Sequence, residues 1–118
     1  IDMGDGWETA RRRGPGNDWV IIALGQAGVI ERAEIDTAHF KGNYPDHVSL
    51  EAGLFSSDPE AVNSDSGWRT LMHEAKLKMD QQHYFEELEP LGEVSHVRVS
   101  IYPDGGISRV RLFGQVHG

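Results

Sequence analysis

Trp19-Val20-Ile21-Ile22-Ala23-Leu24 is an unbroken apolar run that stops at Gly25. An extended segment is apolar at every position only when both of its faces are covered, so this run predicts a strand buried on both sides. His96 to Tyr102 follows a different rule. Val97, Val99 and Ile101 alternate with His96, Arg98, Ser100 and Tyr102, the period of a strand with one face in the core. Pro103-Asp104-Gly105-Gly106 then supplies turn residues, and alternation resumes from Ile107 to Phe113, so the two segments read as a hairpin. Val48, Leu50, Ala52 and Leu54 alternate with His47, Ser49, Glu51 and Gly53 and predict a further strand. Gly28 to Thr37 alternates less cleanly, with Val29, Ala33 and Ile35 to one side and Arg32, Glu34 and Asp36 to the other.

The middle of the chain has another character. Ser56 to Gly67 is polar and rich in turn residues and reads as a loop. Trp68, Leu71, Met72, Ala75 and Met79 have the spacing of one helix face, with Asp65 or Ser66 as a cap. A short helix or turn is therefore expected, followed by a strand at His83 to Leu88. Trp19 and Trp68 read as core residues. About six short strands separated by turns imply an all-β fold, an antiparallel β-sandwich of jelly-roll type. Its core would hold Val97, Val99, Ile101, Val110, Leu112 and the Trp19–Leu24 run.

The chain has 118 residues, enough for a single domain with its own core. No apolar run is long enough to span a bilayer and no signal-peptide pattern opens the sequence, so no membrane partner is expected. Cysteine is absent, which removes disulfides and thiolate metal sites and suits a cytoplasmic setting. Nineteen acidic residues face eleven basic ones, for a net charge of -8, and that argues against a nucleic-acid binder. The first residue is Ile1, and little precedes Asp5. The chain therefore reads as N-terminally incomplete, lacking a leading strand and carrying an open edge or apolar patch there.

Against that acidic background, Asp5 to Arg13 (DGWETARRR) stands out. Trp7, Glu8, Arg11, Arg12 and Arg13 put an aromatic face, an acid and three guanidinium groups into nine residues. Guanidinium binds carboxylate through paired hydrogen bonds, so the fitting ligand is a small anion. Not all three Arg can enter one pocket, since neighbours in an extended segment face opposite ways. By itself such a run is an ordinary solvated surface loop. His39-Phe40-Lys41-Gly42-Asn43-Tyr44-Pro45 is a second polar segment, shaped by Gly42 and Pro45, and it too could be a plain connection. The six His show no metal-binding spacing, and Asp36 with His39 is too small a set, so no metal or cofactor is expected. No nucleophile elbow or P-loop is present. Arg98, Arg109 and Arg111 read as solvated or cross-strand paired.

Three segments, DGWETARRR, DWVIIALGQAGVIERAEIDTAHFKGNYPD and VSHVRVSIYPDGGISRVRLFG, together resemble the allantoicase (allantoate amidinohydrolase) family, from Met3 to Gly114 and in the right order. The resemblance implies one of two galactose-binding-like jelly-roll repeats, with the C-terminal one expected. It also implies hydrolysis of allantoate to ureidoglycolate and urea in purine degradation. On that reading Glu8 and His39 are candidates for the proton transfers. Arg11, Arg12 or Arg13 would clamp the carboxylate, Lys41, Asn43 and Tyr44 would hold the ureido groups, and Trp7 would complete the site. A second repeat or another subunit, in a homo-oligomer, would be the partner. The alternative is a non-catalytic module that binds sugars or small polar ligands, with Trp7 as a stacking platform.

Overall fold

One strand organises the rest. In the computed structural model β3 (Asn17–Asp36) runs for twenty residues, and every other strand is built outward from it. Residues 2–5, 11–14, 17–36, 47–55, 66–78, 81–102 and 109–116 are described, with backbone alone for 2–5, 11–14, 17–18 and 109. The remaining strands are β1 (Asp2–Asp5), β2 (Arg11–Gly14), β4 (His47–Gly53), β5 (Arg69–Lys76), β6 (Gln82–Phe85), β7 (Val94–Tyr102) and β8 (Arg109–Val116). All pairings are antiparallel.

The sheet curls into two layers because β3 belongs to both. Its first half pairs with β7, Asp18 with Ile101 through Ala23 with His96. Its second half pairs with β8, Gly28 with Val116 through Asp36 with Arg109. One layer is thus β2, the first half of β3, β7, β4 and β5; the other is β1, β8, the second half of β3 and β6. Ladder regularity is lost between Ala23 and Gly28, where Gly25 sits with open space around it. A strand that turns from one layer to the other needs such a break.

Between the layers lies the core: Val20, Ile22, Val48, Leu50, Ala52, Val97, Val99 and Ile101 from one side, Ile30, Ala33, Ile35, Val110 and Leu112 from the other. The expected core residues of the last two strands are all buried there. Ile21 is also buried, on the opposite face of its strand, so the apolar run is covered on both sides as its composition requires. Each buried Val, Leu or Ile contributes about 1.5–3 kcal/mol by leaving water.

Several expectations are corrected. β7 and β8 do not form a hairpin. β7 is flanked by β3 and β4, and β8 by β1 and β3, so neither has an edge left for the other. The segment with the turn signal Pro103–Gly106 joins the two layers instead of two neighbours.

The helix expected from Trp68 onward is β5. Between Val48 and Leu50 of β4, β5 advances from Ala75 to Met72, and between Leu50 and Glu51 it advances from Met72 to Thr70. Two extra residues enter the strand, so Leu71 and Met72 are both buried and the apolar spacing imitates a helix. A similar irregularity in β3, between Ile30 and Arg32, puts Ile30 in the core ahead of Ala33 and leaves Val29 half-buried.

Leu54 lies beyond the end of β4 and is 58% exposed, so its alternation ends early. The strand expected at His83–Leu88 is the shorter β6. A leading strand is present: β1 pairs with β8 ahead of the Trp7 segment. Among the described residues the large exposed hydrophobics are Leu54 and Tyr84; the side chains of β1, where an apolar patch was expected, lie outside the described residues.

Candidate functional site

Both ends of β3 come to the same end of the sandwich. Asp18 is paired with Ile101 and Asp36 with Arg109, the two sides of the 103–108 connection. β4 enters there, with His47 opposite Tyr102, and β5 leaves there, with Lys76 opposite His47. β6 enters with Gln82 opposite Asp36, and β1 runs toward the same end, with Asp5 opposite Arg111. Segment 6–10 leads out of β1, and segment 37–46 joins β3 to β4.

The Arg run is a strand, not a loop. β2 forms a tight hairpin with the start of β3, with Gly14 opposite Asn17, Arg13 opposite Asp18, Arg12 opposite Trp19 and Arg11 opposite Val20. Asn-flanked Pro15-Gly16 is suitable chemistry for the two linking positions. Trp7, Glu8, His39, Lys41, Asn43 and Tyr44 lie outside the described residues, as do the side chains of Arg11, Arg12 and Arg13.

What surrounds these segments is polar and tied down. Tyr102 and Ser49 share a hydroxyl–hydroxyl hydrogen bond of 3.3 Å. His47 Nδ1 is 3.7 Å from Glu74 Oε1 across β4 and β5. His83 accepts from the Lys78 N–H through Nε2 at 2.9 Å, so its Nδ1 carries the proton and donates to the Ile35 carbonyl at 3.1 Å. Both ring nitrogens are engaged, which makes His83 a fastener for the end of β3. His47 and Tyr102 were legible only as polar members of two alternations. Register alone puts them opposite each other at the end where segment 37–46 enters β4.

The outer face of the β7 layer carries a second cluster. Arg98 donates to Glu51 Oε1 through Nε at 3.1 Å and Nη2 at 2.8 Å, the cross-strand pairing expected of it. Its guanidinium carbon lies 4.9 Å from the Trp68 ring centre and 5.8 Å from that of Trp19. The two Trp are therefore half-buried partners of a cation on the outer face, not core residues. Phe55 packs on Trp68, with ring centres 4.7 Å apart, and edge-on to His96 at 5.8 Å. Burial lowers the His96 pKa, and its Nδ1 meets Ser95 Oγ at 2.8 Å. In the other layer Arg32 and Arg111 lie 4.4 and 5.5 Å from the centre of the Phe113 ring. Among the described residues no three metal-ligating side chains converge. No helix there is long and apolar enough to cross a membrane.

The family model for the allantoicase repeat matches residues 1–117. The chain belongs to the allantoicase family. A probable allantoicase of Burkholderia mallei is 57% identical over 117 residues, covering 97% of this chain and 35% of its own length. A probable allantoicase of Ralstonia nicotianae is 56% identical, again over 97% of this chain and 35% of its own. The chain thus spans about a third of the length of these curated relatives and corresponds to one allantoicase repeat.

A crystal structure of allantoicase from Saccharomyces cerevisiae superposes with a TM-score of 0.71 at 38% identity, over 93% of this chain and 31% of that one. The C-terminal domain of a chitobiase from Bacteroides fragilis superposes with a TM-score of 0.65 at 13% identity, over 89% of this chain and 68% of that one. The second likeness shows the fold alone, an all-β sandwich of antiparallel strands.

Proposed function

We propose that this allantoicase repeat is part of an enzyme that hydrolyses allantoate to ureidoglycolate and urea. The observation that carries the reading is the family match along the chain, with relatives named allantoicase at 56–57% identity. Those names speak for the enzyme and not for a sugar-binding module.

The site lies where segment 6–10 and the arginine strand meet segment 37–46. It is supported by strand ends that bring both segments to one end of a rigid sandwich. Allantoate carries a carboxylate and two ureido groups on one carbon. A guanidinium from β2 holds the carboxylate bidentately. Lys41, Asn43 and Tyr44 hold the ureido oxygens and nitrogens, and Trp7 closes the pocket. Cleavage breaks the bond between the central carbon and one ureido nitrogen. That nitrogen takes a proton and leaves in neutral urea, while the hydroxyl of water joins the carbon. Glu8 and His39 transfer the two protons. The partner is a second repeat or another subunit in a homo-oligomer, and the setting is the cytoplasm.

Urea release from allantoate by the full-length protein tests the reading. Glu8→Gln keeps the shape and removes a proton-transfer group, so kcat falls far more than KM rises. His39→Ala erases the acid limb of the pH–rate profile. Wild-type rates in both variants would refute the catalytic assignment.

A further inference from the structure

We infer that the outer face of the β8 layer carries a second binding site, built on Arg32 and Phe113, for a small monocarboxylate that also bears N–H donors. An irregularity in β3 sets it up. Between Ile30 and Arg32 the ladder with β8 skips Glu31, so Ile30 enters the core while Glu31 and Arg32 both stay outside it. An extra residue of this kind bends a strand and re-aims its side chains. Here it leaves Arg32 opposite Phe113, with Glu31 beside it.

The Arg32 guanidinium carbon lies 4.4 Å from the centre of the Phe113 ring, and Nε is buried without a hydrogen-bond partner. Among the described residues the ion pairs are His47–Glu74, His73–Glu89 and Arg98–Glu51, and none of them includes Arg32. Arg98 is the informative contrast. It too lies over aromatic rings, but two of its nitrogens donate to Glu51. A ring covers the face of a guanidinium and gives its in-plane N–H groups no acceptor. Arg32 has the aromatic half of that arrangement and, among the described residues, no carboxylate half. With Nε covered, the two Nη atoms remain to take a carboxylate through paired hydrogen bonds.

A cavity of about 380 Å³ opens at this point, large enough for a small ligand. Among the described residues it is lined by Arg32, Phe113, Gly114, Glu31 and Glu86. Glu31 is held by Gln115, whose Nε2 donates to its Oε1 at 3.3 Å. Two carboxylates beside one guanidinium repel a dianion, and they offer acceptors to a ligand's own N–H groups. The lining therefore fits a single negative charge on Arg32 with N–H groups turned to Glu31 and Glu86. Ureido acids and α-amino acids share that chemistry. The place is separate from the site proposed above, since Arg32 precedes Asp36 by four residues of β3, about 13 Å along a strand.

Equilibrium dialysis of the full-length protein against radiolabelled N-carbamoylglycine, a monocarboxylate with one ureido group, counts bound equivalents. Arg32→Gln is expected to bind one equivalent per chain fewer than wild type, with kcat on allantoate unchanged. Arg32→Lys keeps the charge but not the paired geometry, so it weakens that equivalent by about tenfold. It carries the comparison if Arg32→Gln does not melt cooperatively. Unlabelled competitors define the ligand: stronger displacement by N-carbamoylglycine than by glycine assigns a ureido acid, and the reverse order an amino acid. Acetate or sulfate, which have no N–H donor, displacing the label equally well would overturn the ligand class. Equal equivalents in wild type and Arg32→Gln would overturn the site and mean that a rim glutamate closes on Arg32 instead. Loss of kcat along with the equivalent would place Arg32 in the catalytic site and overturn a second one. The count does not depend on turnover, so a protein that releases no urea from allantoate sinks the proposed function and leaves this inference standing.

Discussion

Val99 is the position where a single change tests the architecture most directly. It is 1% exposed, and its ladder neighbours on both sides, Val20 and Leu50, are core residues. Val99→Asp forfeits about 1.5–2 kcal/mol of apolar burial. The carboxyl must then either stay charged in the core or take up a proton. Raising its pKa from about 3.9 to about 7 costs about 4 kcal/mol at neutral pH. The sum is about 6 kcal/mol. A chain of 118 residues has a total stability of about 6–18 kcal/mol, so the change removes between about a third and all of it.

The comparison that gives this force is Leu54→Asp. Leu54 continues the same alternation as Val48, Leu50 and Ala52 in sequence but is 58% exposed, so the change costs less than about 1 kcal/mol. Urea titration followed by tryptophan fluorescence and far-ultraviolet circular dichroism measures both. Val99→Ala, expected to lose about 2–3 kcal/mol, gives a value that can be fitted if the Asp variant does not fold. Because the folded-state pKa of the new Asp is raised, its penalty is smaller at pH 4 than at pH 7. A Val99→Ala cost under about 0.5 kcal/mol, or equal costs for the two Asp variants, would refute the two-layer packing described above.

Two further outcomes follow from the covering of the outer face. A Cβ on Gly53 would run into the Phe55 ring and lie 2.7 Å from the Gly67 carbonyl oxygen, with Gly67 itself at φ 91°, so Gly53→Ala is expected to cost about 1–3 kcal/mol in chemical denaturation. A variant as stable as wild type would show that Phe55 and Gly67 do not pack against Gly53 in this way. His96 is held neutral by burial, so its folded pKa is below its unfolded value of 6.5. The unfolded state binds the extra proton, so stability present above pH 6.5 is lost as pH falls from there through the folded pKa. The difference in melting temperature between wild type and His96→Gln should therefore shrink on acidification over that window, and a constant difference would remove His96 from the acid response.

Fold class, most of the core and family membership could be read along the chain. The period-two patterns at Val48–Ala52 and Val97–Ile101 report which face is buried, because a strand has only two faces and the core accepts only apolar side chains. The Trp19–Leu24 run reports a covered central strand for the same reason. The three quoted segments are specific because they combine rare residue types in a fixed order, and the family match covers the stretch they span. Partner choice could not be read in this way. A strand's pattern names its buried face but not its neighbours, so the turn at 103–108 looked like a hairpin and is a crossing between layers. Bulges make two adjacent residues face the core, which is why Leu71 and Met72 imitated a helix. The arginine run read as a loop, and the ladder makes it a strand with Arg11, Arg12 and Arg13 opposite Val20, Trp19 and Asp18. Register is a long-range property, set by which strands pack together, and only the tertiary structure decides it.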